Sequence, residues 1–532
     1  MPELPSPRVA ESSPNPRPVR QLVTDDGRLM KGRLAGLSMN RAIWVLAWPV
    51  ITESYLNSLV GLTDTMLASQ ISEAATDAIG VASYFVWFIG LITMALSTGA
   101  TAMVSRSVGK HRIATANAAV GQTYVLALLS GVIVGAILAG AAPFISTLVN
   151  LEGEAREAFI GYLRIVAIGV PMSSVLFSGI ACLRGAGDSL RPLWAMAGCN
   201  LVNIVVSFTL AGVPLRTSEL IDGETVTNTI VPAVIDNGFG IYGIAIGTLV
   251  AHTVGAVIIT VMLLVGKGGV TLKSRRMKPH LVTIQRLVRL GLPNFLESLG
   301  MWLGNFVIVM IVGWLTVAQR LGSGDGSGEG LFGAHIWAIR IEAFSFLPGF
   351  AMGMAAATLT GQYLGAGSPH LARTAILRCT AIGAGVMTLM GVGFVTIPEH
   401  IIGLFTAQES HLRLVPPLLM ICGFVQLPFG VAMVIRSALR GAGDVTVVMW
   451  ITWLTTYGVR IPLALLFNEH RTDHDPHNHH GVYDGGNGIK VVNGGIKDFL
   501  ASNRFQHVGD GVDIGDKDQS GNSSYASSQQ PE

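Results

Sequence analysis

Long apolar runs separated by short polar loops fill the chain from residue 42 to residue 467. Crossing the hydrocarbon core of a bilayer takes about 20 apolar residues in a helix. Eleven segments reach that length: 42–69, 78–105, 117–148, 158–182, 192–212, 241–265, 287–315, 331–360, 374–397, 414–438 and 446–467. The pattern predicts an all-α polytopic membrane protein. Residues 1–40 are rich in Pro, Ser and Arg and lack a signal peptide's apolar core, so they read as a basic, disordered cytoplasmic arm. Residues 468–532 hold no further run of spanning length and read as a polar, disordered tail.

The spans repeat. CLRGAGDSLRPLW at 182–194 returns as ALRGAGDVTVVMW at 438–450, so Arg184 and Asp188 correspond to Arg440 and Asp444. Gly109 and Gly365 keep the same spacing at the ends of the second and eighth spans. Pro49 and Glu53 of the first span match Pro293 and Glu297 of the seventh at a slightly shorter spacing, and the Gly/Ser-rich run 322–330 absorbs the difference. Six spans precede the second copy, so the copies share one topology. This predicts two homologous helical bundles related by a pseudo-two-fold axis along the membrane normal. The expected organisation is an N-terminal six-helix lobe at 41–266, a cytoplasmic inter-lobe linker at 267–286, and a C-terminal lobe of five recognisable helices at 287–467. The last helix of a six-plus-six design is missing from the pattern. A truncation or reading-frame change near residue 468, or replacement by a soluble tail, would account for it.

Composition supports this reading and adds an orientation. Half the residues are hydrophobic and 13% are charged, which excludes an ordinary soluble domain. The 64 glycines suit helices that pack closely in lipid. Lys and Arg gather on one side, at Arg28 to Arg41, Arg106 to Arg112, Arg184, Arg191, Lys267 to Lys278, Arg436 and Arg440. Acids gather on the other, at Glu73, Asp77, Glu152, Glu154, Glu219, Asp222, Glu224, Asp325 and Glu329. The positive-inside rule then makes the amino terminus cytoplasmic. The four cysteines lack metal-ligand spacing and read as packing residues.

The ordered set GLTDTMLAS (61–69), LSTGATAMVSRSVG (96–109), the two LRGAGD copies, RIEAFSFLPGFAMGMAAATLTGQYLGAG (340–367) and VRIPLA (459–464) resembles the bacterial type of the multidrug and toxic compound extrusion (MATE) family over about residues 40–467. The resemblance implies a two-lobed carrier in the bacterial inner (plasma) membrane. Such a carrier is a secondary active antiporter that exports organic cations, drugs or other amphipathic compounds in exchange for H⁺ or Na⁺. Flippases of lipid-linked saccharides share the architecture and are the alternative.

An ionised acid at mid-membrane costs about 2.5–3.5 kcal/mol on insertion scales, so it needs a partner or a task. Asp64, deep in the first span, is the leading cation-coupling candidate, suited to take up a proton or hold a hard cation; the resemblance implies the same role. Glu53, about 16 Å before it on the same face, joins the cation-coupling candidates, either as an entry group near the cytoplasmic half or as an interhelical hydrogen-bonding residue. Relatives often show Asn-x-x-Asn-x-x-x-Asp in the fifth span; here Asn200 and Asn203 stand with Ser207 in the acid's place, leaving neutral oxygens. Glu297 and Glu342 are second-lobe candidates, and Tyr55 and Trp302 are candidates to line a cavity for aromatic cations. Arg184, Asp188, Arg440 and Asp444 read as gate residues, Arg and Asp bridging helix ends at glycine-permitted turns.

The tail cluster of His470, His474, His477, His479 and His480 has no regular scaffold and reads as solvated, so no metal site is expected. No phosphate loop is present, which argues against ATP coupling. The expectation is a transporter and not an enzyme, without a cofactor beyond H⁺ or Na⁺ as coupling ion. Its expected partners are a small-molecule substrate and membrane lipid, with no nucleic acid, and its expected state is a monomer.

Overall fold

The computed structural model describes residues 22–149, 151–221, 224–235, 239–323, 331–405 and 409–466. The polar tail from 467 onward, the position of the missing twelfth span and most of the Gly/Ser-rich run at 322–330 lie outside the described residues. So do residues 1–21.

Every expected span is a helix. The first lobe comprises α1 (Met39–Ile71), α2 (Glu73–Gly109), α3 (Ile113–Leu148), α4 (Gly153–Gly185), α5 (Leu190–Ala211) and α6 (Ile241–Val265). The second comprises α7 (Leu281–Ser323), α8 (Leu331–Gly365), α9 (Pro369–Thr396), the short α10 (Pro398–Gly403), α11 (Glu409–Ala442) and α12 (Val445–Thr455). A π-helical turn, Thr456–Arg460, carries α12 into a helical stretch at 461–466. Among the described residues, nine helices are long and apolar enough to cross a membrane. One departure from all-α is an antiparallel hairpin between α5 and α6, β1 (Leu215–Ile221) with β2 (Glu224–Val231).

Packing follows the logic of lipid, where helices gain little from hydrophobicity and associate through close backbone approach. Gly131 and Gly135, one turn apart on α3, face Pro171 and Ala167 of α4 so tightly that an added Cβ would lie 2.6 and 2.5 Å from α4 backbone atoms. The lobes meet by the same device. A Cβ on Gly109 of α2 would lie 2.1 Å from the carbonyl oxygen of Gln362 in α8, and one on Gly365 of α8 would lie 2.4 Å from that of Arg106 in α2. Residues 106 and 109 correspond to 362 and 365 in the repeat, so the pseudo-two-fold axis passes through this crossing. Reciprocal bonds flank it: Gln362 Nε2 donates to Gly185 O (3.1 Å) and Arg106 Nη1 to Ala442 O (3.4 Å). The crossing closes the molecule at its basic end.

The expectation of disorder to residue 40 is corrected over residues 22–38. Leu29 and Leu34 are buried in a core shared with Ile43 and Leu46 of α1 and Leu359 and Tyr363 of α8. Tyr363 also donates its hydroxyl to Gly27 O (3.3 Å). Composition hid this because two leucines among many charges suffice when a groove between lobes receives them. The expected linker is tied down as well. Gln122 of α3 donates to Arg276 O (2.7 Å) and Lys278 O (2.8 Å), and α7 starts at Leu281, inside the range given to the linker.

Gly109→Ala should therefore weaken the α2–α8 crossing by about 1–3 kcal/mol, the usual cost of overpacking. Thermal unfolding in detergent checks this against Gly140→Ala, where a Cβ meets nothing within 4 Å and the midpoint should not fall.

Candidate functional site

Between the lobes, just inside the α2–α8 crossing, lies a cavity of about 400 Å³. Its first-lobe wall is a stripe of hydroxyls on α2, Thr93, Ser97 and Thr101, four residues apart and so on one face. Two of them are bonded to α4: Ser97 Oγ donates to Phe177 O (3.4 Å) and Thr101 Oγ1 to Ala181 O (3.2 Å). Phe350 and Met354 of α8 and Ser437 of α11 supply the second-lobe wall. The surface is mostly apolar with scattered hydroxyls, suited to amphipathic guests.

The cavity floor holds charge. Arg184, at the end of α4, donates to Glu53 of α1 in a short ion pair, with Glu53 6% exposed. In the second lobe Arg440, at the end of α11, grips Glu297 of α7 in bidentate fashion, at 2.6 and 3.2 Å, and Glu297 is fully buried. Thr452 of α12 adds a third bond to Glu297 at 3.1 Å. The repeat thus places one Glu–Arg pair in each lobe, joining the first helix of the lobe to the helix that ends in LRGAGD. Arg184 is also bound to the opposite lobe, since Thr358 of α8 donates to its carbonyl (3.2 Å).

This corrects the expectation that Arg and Asp of each motif bridge helix ends. Arg184 and Arg440 turn inward to glutamates and line the cavity. Asp188 stays in its own turn, holding Arg191 at 2.6 Å and Arg33 at 3.6 Å. Asp444 is exposed and makes no ion pair within 4 Å among the described residues. The turn itself is as expected: Gly187 and Gly443, equivalent in the repeat, have φ of +91° and +95°, a backbone conformation for which glycine is the favoured residue.

Asp64 lies elsewhere. Asn57, which lines the cavity, accepts a bond from Asn200 Nδ2 of α5 (3.2 Å). Asp64 is two turns further along α1, about 10 Å. α1 and α5 run in the same direction in an alternating bundle, so seven residues beyond Asn57 and Asn200 come Asp64 and Ser207 at one level. Ser207 Oγ donates to Ile244 O (3.5 Å), and α6 presses so close at Gly247 that a small side chain suits position 207. Asn203 Nδ2 donates to Thr248 (3.2 Å). Two buried oxygens, Asp64 Oδ1 and Asn203 Oδ1, have no hydrogen-bond partner among the described residues. Such oxygens are costly in lipid when left unpaired.

The remaining candidates fall outside the cavity lining. Glu342 of α8 accepts a bond from Gln426 of α11 (3.3 Å), which also accepts from Ser345 (3.0 Å), so it belongs to a polar cluster within the second lobe. Tyr55 is exposed, and Trp302 stacks on Phe306 and meets Phe88 of α2 edge-on at 6.4 Å, across the lobe seam. The cavity's aromatic residues are Phe177 and Phe350 instead, with His252 of α6 edge-on to Phe177 at 6.0 Å. Periodicity could have marked the α2 hydroxyl stripe; nothing in the sequence singled out His252.

Comparison with known proteins agrees with the internal repeat. The family model MatE matches residues 49–209 and again 293–466. The "Probable multidrug resistance protein NorM" of Thermotoga maritima is 24% identical over 421 residues, covering 79% of this chain and 84% of that protein. The multidrug resistance protein PmpM of Pseudomonas aeruginosa is 23% identical, covering 80% and 83%. A solved outward-facing multidrug resistance MATE family transporter of the MOP superfamily superposes with a TM-score of 0.70 at 21% identity, covering 81% of this chain and 89% of that one.

Removing one member of a buried ion pair costs about 3–5 kcal/mol, because the other charge is stranded. Glu297→Gln should cost this much, since it leaves Arg440 unpaired. The double variant Glu297→Gln/Arg440→Gln should lose less than the sum of the single losses. A thermal-unfolding double-mutant cycle reads the difference.

Proposed function

The chain belongs to the MatE family, and on that premise we propose that it is a secondary active antiporter exporting amphipathic compounds, organic cations and drugs among them, in exchange for H⁺ or Na⁺. The observation that carries the reading is the division of acids in the first lobe: Glu53 is neutralised by Arg184, while Asp64 has an oxygen without a partner among the described residues. A carboxylate so placed gains most from a proton or a monovalent cation. Asn203 Oδ1 is available as a second ligand for a hard cation.

In this mechanism the closed basic end is cytoplasmic, with the amino terminus on that side, and the membrane is the bacterial plasma membrane. Cation uptake at Asp64 reshapes α1, which runs from the α8 contact at Ile43 past the cavity at Asn57 to Asp64. The α2–α8 crossing then parts, and cargo reaches the cavity from inside. The Glu53–Arg184 and Glu297–Arg440 pairs keep each lobe rigid while the lobes rock, so Glu53 is assigned to the frame and not to coupling. A cavity of about 400 Å³ whose arginines are engaged by glutamates favours small amphipathic cargo over the flippase alternative. One charge moving down 100 mV supplies about 2.3 kcal/mol, a roughly fortyfold gradient of neutral cargo.

Uptake of a fluorescent dye into inside-out vesicles tests the assignment. Asp64→Asn should insert normally and cut dye transport driven by a pH or Na⁺ gradient at least about tenfold; full coupled transport by this variant would refute it. Comparing the two gradients in the wild type identifies the ion.

A further inference from the structure

A second cavity, of about 410 Å³, opens at the basic end where the two lobes meet beside the α2–α8 crossing. Five cationic side chains line it. Arg106, Lys110 and Arg112 come from the end of α2 and the loop before α3; Arg286 and Arg289 come from one turn of α7. Ser107 and Thr115 add hydroxyls. No carboxylate lines the cavity, and none of the five cations makes an ion pair within 4 Å among the described residues. Asp444, next in sequence to the lining Gly443, engages none of them. Arg106 bonds only a backbone carbonyl there, Ala442 O of the opposite lobe.

Five cations held together in one concavity repel one another, and no acid among the described residues pairs with them within 4 Å. The physical answer is an external anion. α7 beside the cavity also exposes large apolar side chains, Leu281, Val282, Val288 and Leu292, as a surface against acyl chains would. Basic pockets between membrane helices at the charged end are suited to phospholipid headgroups. We propose that this inter-lobe cavity binds the phosphodiester headgroup of an anionic phospholipid, with guanidinium and hydroxyl donors on the phosphate and the acyl chains along α7. Both lobes contribute donors, so the lipid bridges them and favours the state in which the basic end is closed. Binding stands apart from the transport reading; only the effect on lobe closure rests on it.

The full-length protein in detergent is titrated with dihexanoyl phosphatidylglycerol, dihexanoyl phosphatidylcholine and inorganic phosphate, with binding read by native mass spectrometry. Phosphatidylglycerol should bind saturably, and phosphatidylcholine at least about tenfold more weakly. Lys110→Gln/Arg112→Gln and Arg286→Gln/Arg289→Gln should each weaken phosphatidylglycerol about thirtyfold, at about fivefold per cation removed. Arg286→Lys/Arg289→Lys, which keeps the charge, should stay within about threefold of wild type and so separates lost charge from lost fold. The proposal fails if the two lipids bind alike, if neutralising either lobe's pair leaves phosphatidylglycerol binding intact, or if inorganic phosphate binds as tightly as the lipid, which would make this a site for soluble anions.

Discussion

A charge inside a helical bundle in lipid must be neutralised where it stands, and the interior of this protein is arranged around that constraint. Glu53 and Glu297 sit on the first helix of each lobe with an arginine from a distant helix closing on each. The pairs join segments far apart in sequence, α1 to α4 and α7 to α11, and so define each lobe as a unit. Against that background Asp64 is conspicuous: it is an acid of the same helix as Glu53, with an oxygen that no donor among the described residues reaches. Neutralisation by protein builds the frame; in the proposed mechanism a mobile cation neutralises Asp64.

Symmetry and its breaking divide the same way. The crossing of Gly109 and Gly365, the LRGAGD turns and the two Glu–Arg pairs obey the pseudo-two-fold. All of them concern backbone approach or charge pairing, which both lobes need equally. Asp64 has Ile308 at the equivalent place, and Asp188 is held by two arginines while Asp444 is exposed. The two lobes are therefore chemically unequal.

The α2–α8 seam ties these features together. It closes the basic end, walls off the central inter-lobe cavity and leaves the cationic concavity beside it. Glycine at the crossing makes the contact close, and backbone carbonyls make it polar enough to part without stranding a charge. A seam built of carbonyls, amide donors and glycine faces leaves no charge unpaired when its two sides separate.

Sequence alone determined the helices, the repeat and the family, and it singled out Asp64 as the leading candidate among the membrane acids. Span length, recurrence of motifs and the cost of a membrane acid are local properties that need no coordinates. Even the glycine turns at Gly187 and Gly443 followed from composition. Tertiary structure decided the partners. Arg184 lies 4 residues from Asp188 but binds Glu53, which is 131 residues away, and Leu29 and Leu34 are ordered because a groove between α1 and α8 accepts them. It also decided that His252 and Arg440 line the cavity while Tyr55 and Trp302 do not. The physical reason is that a side chain's partner depends on which helices cross and at what height. Small residues distributed over many helices set those crossings jointly, and no single stretch of the chain encodes them.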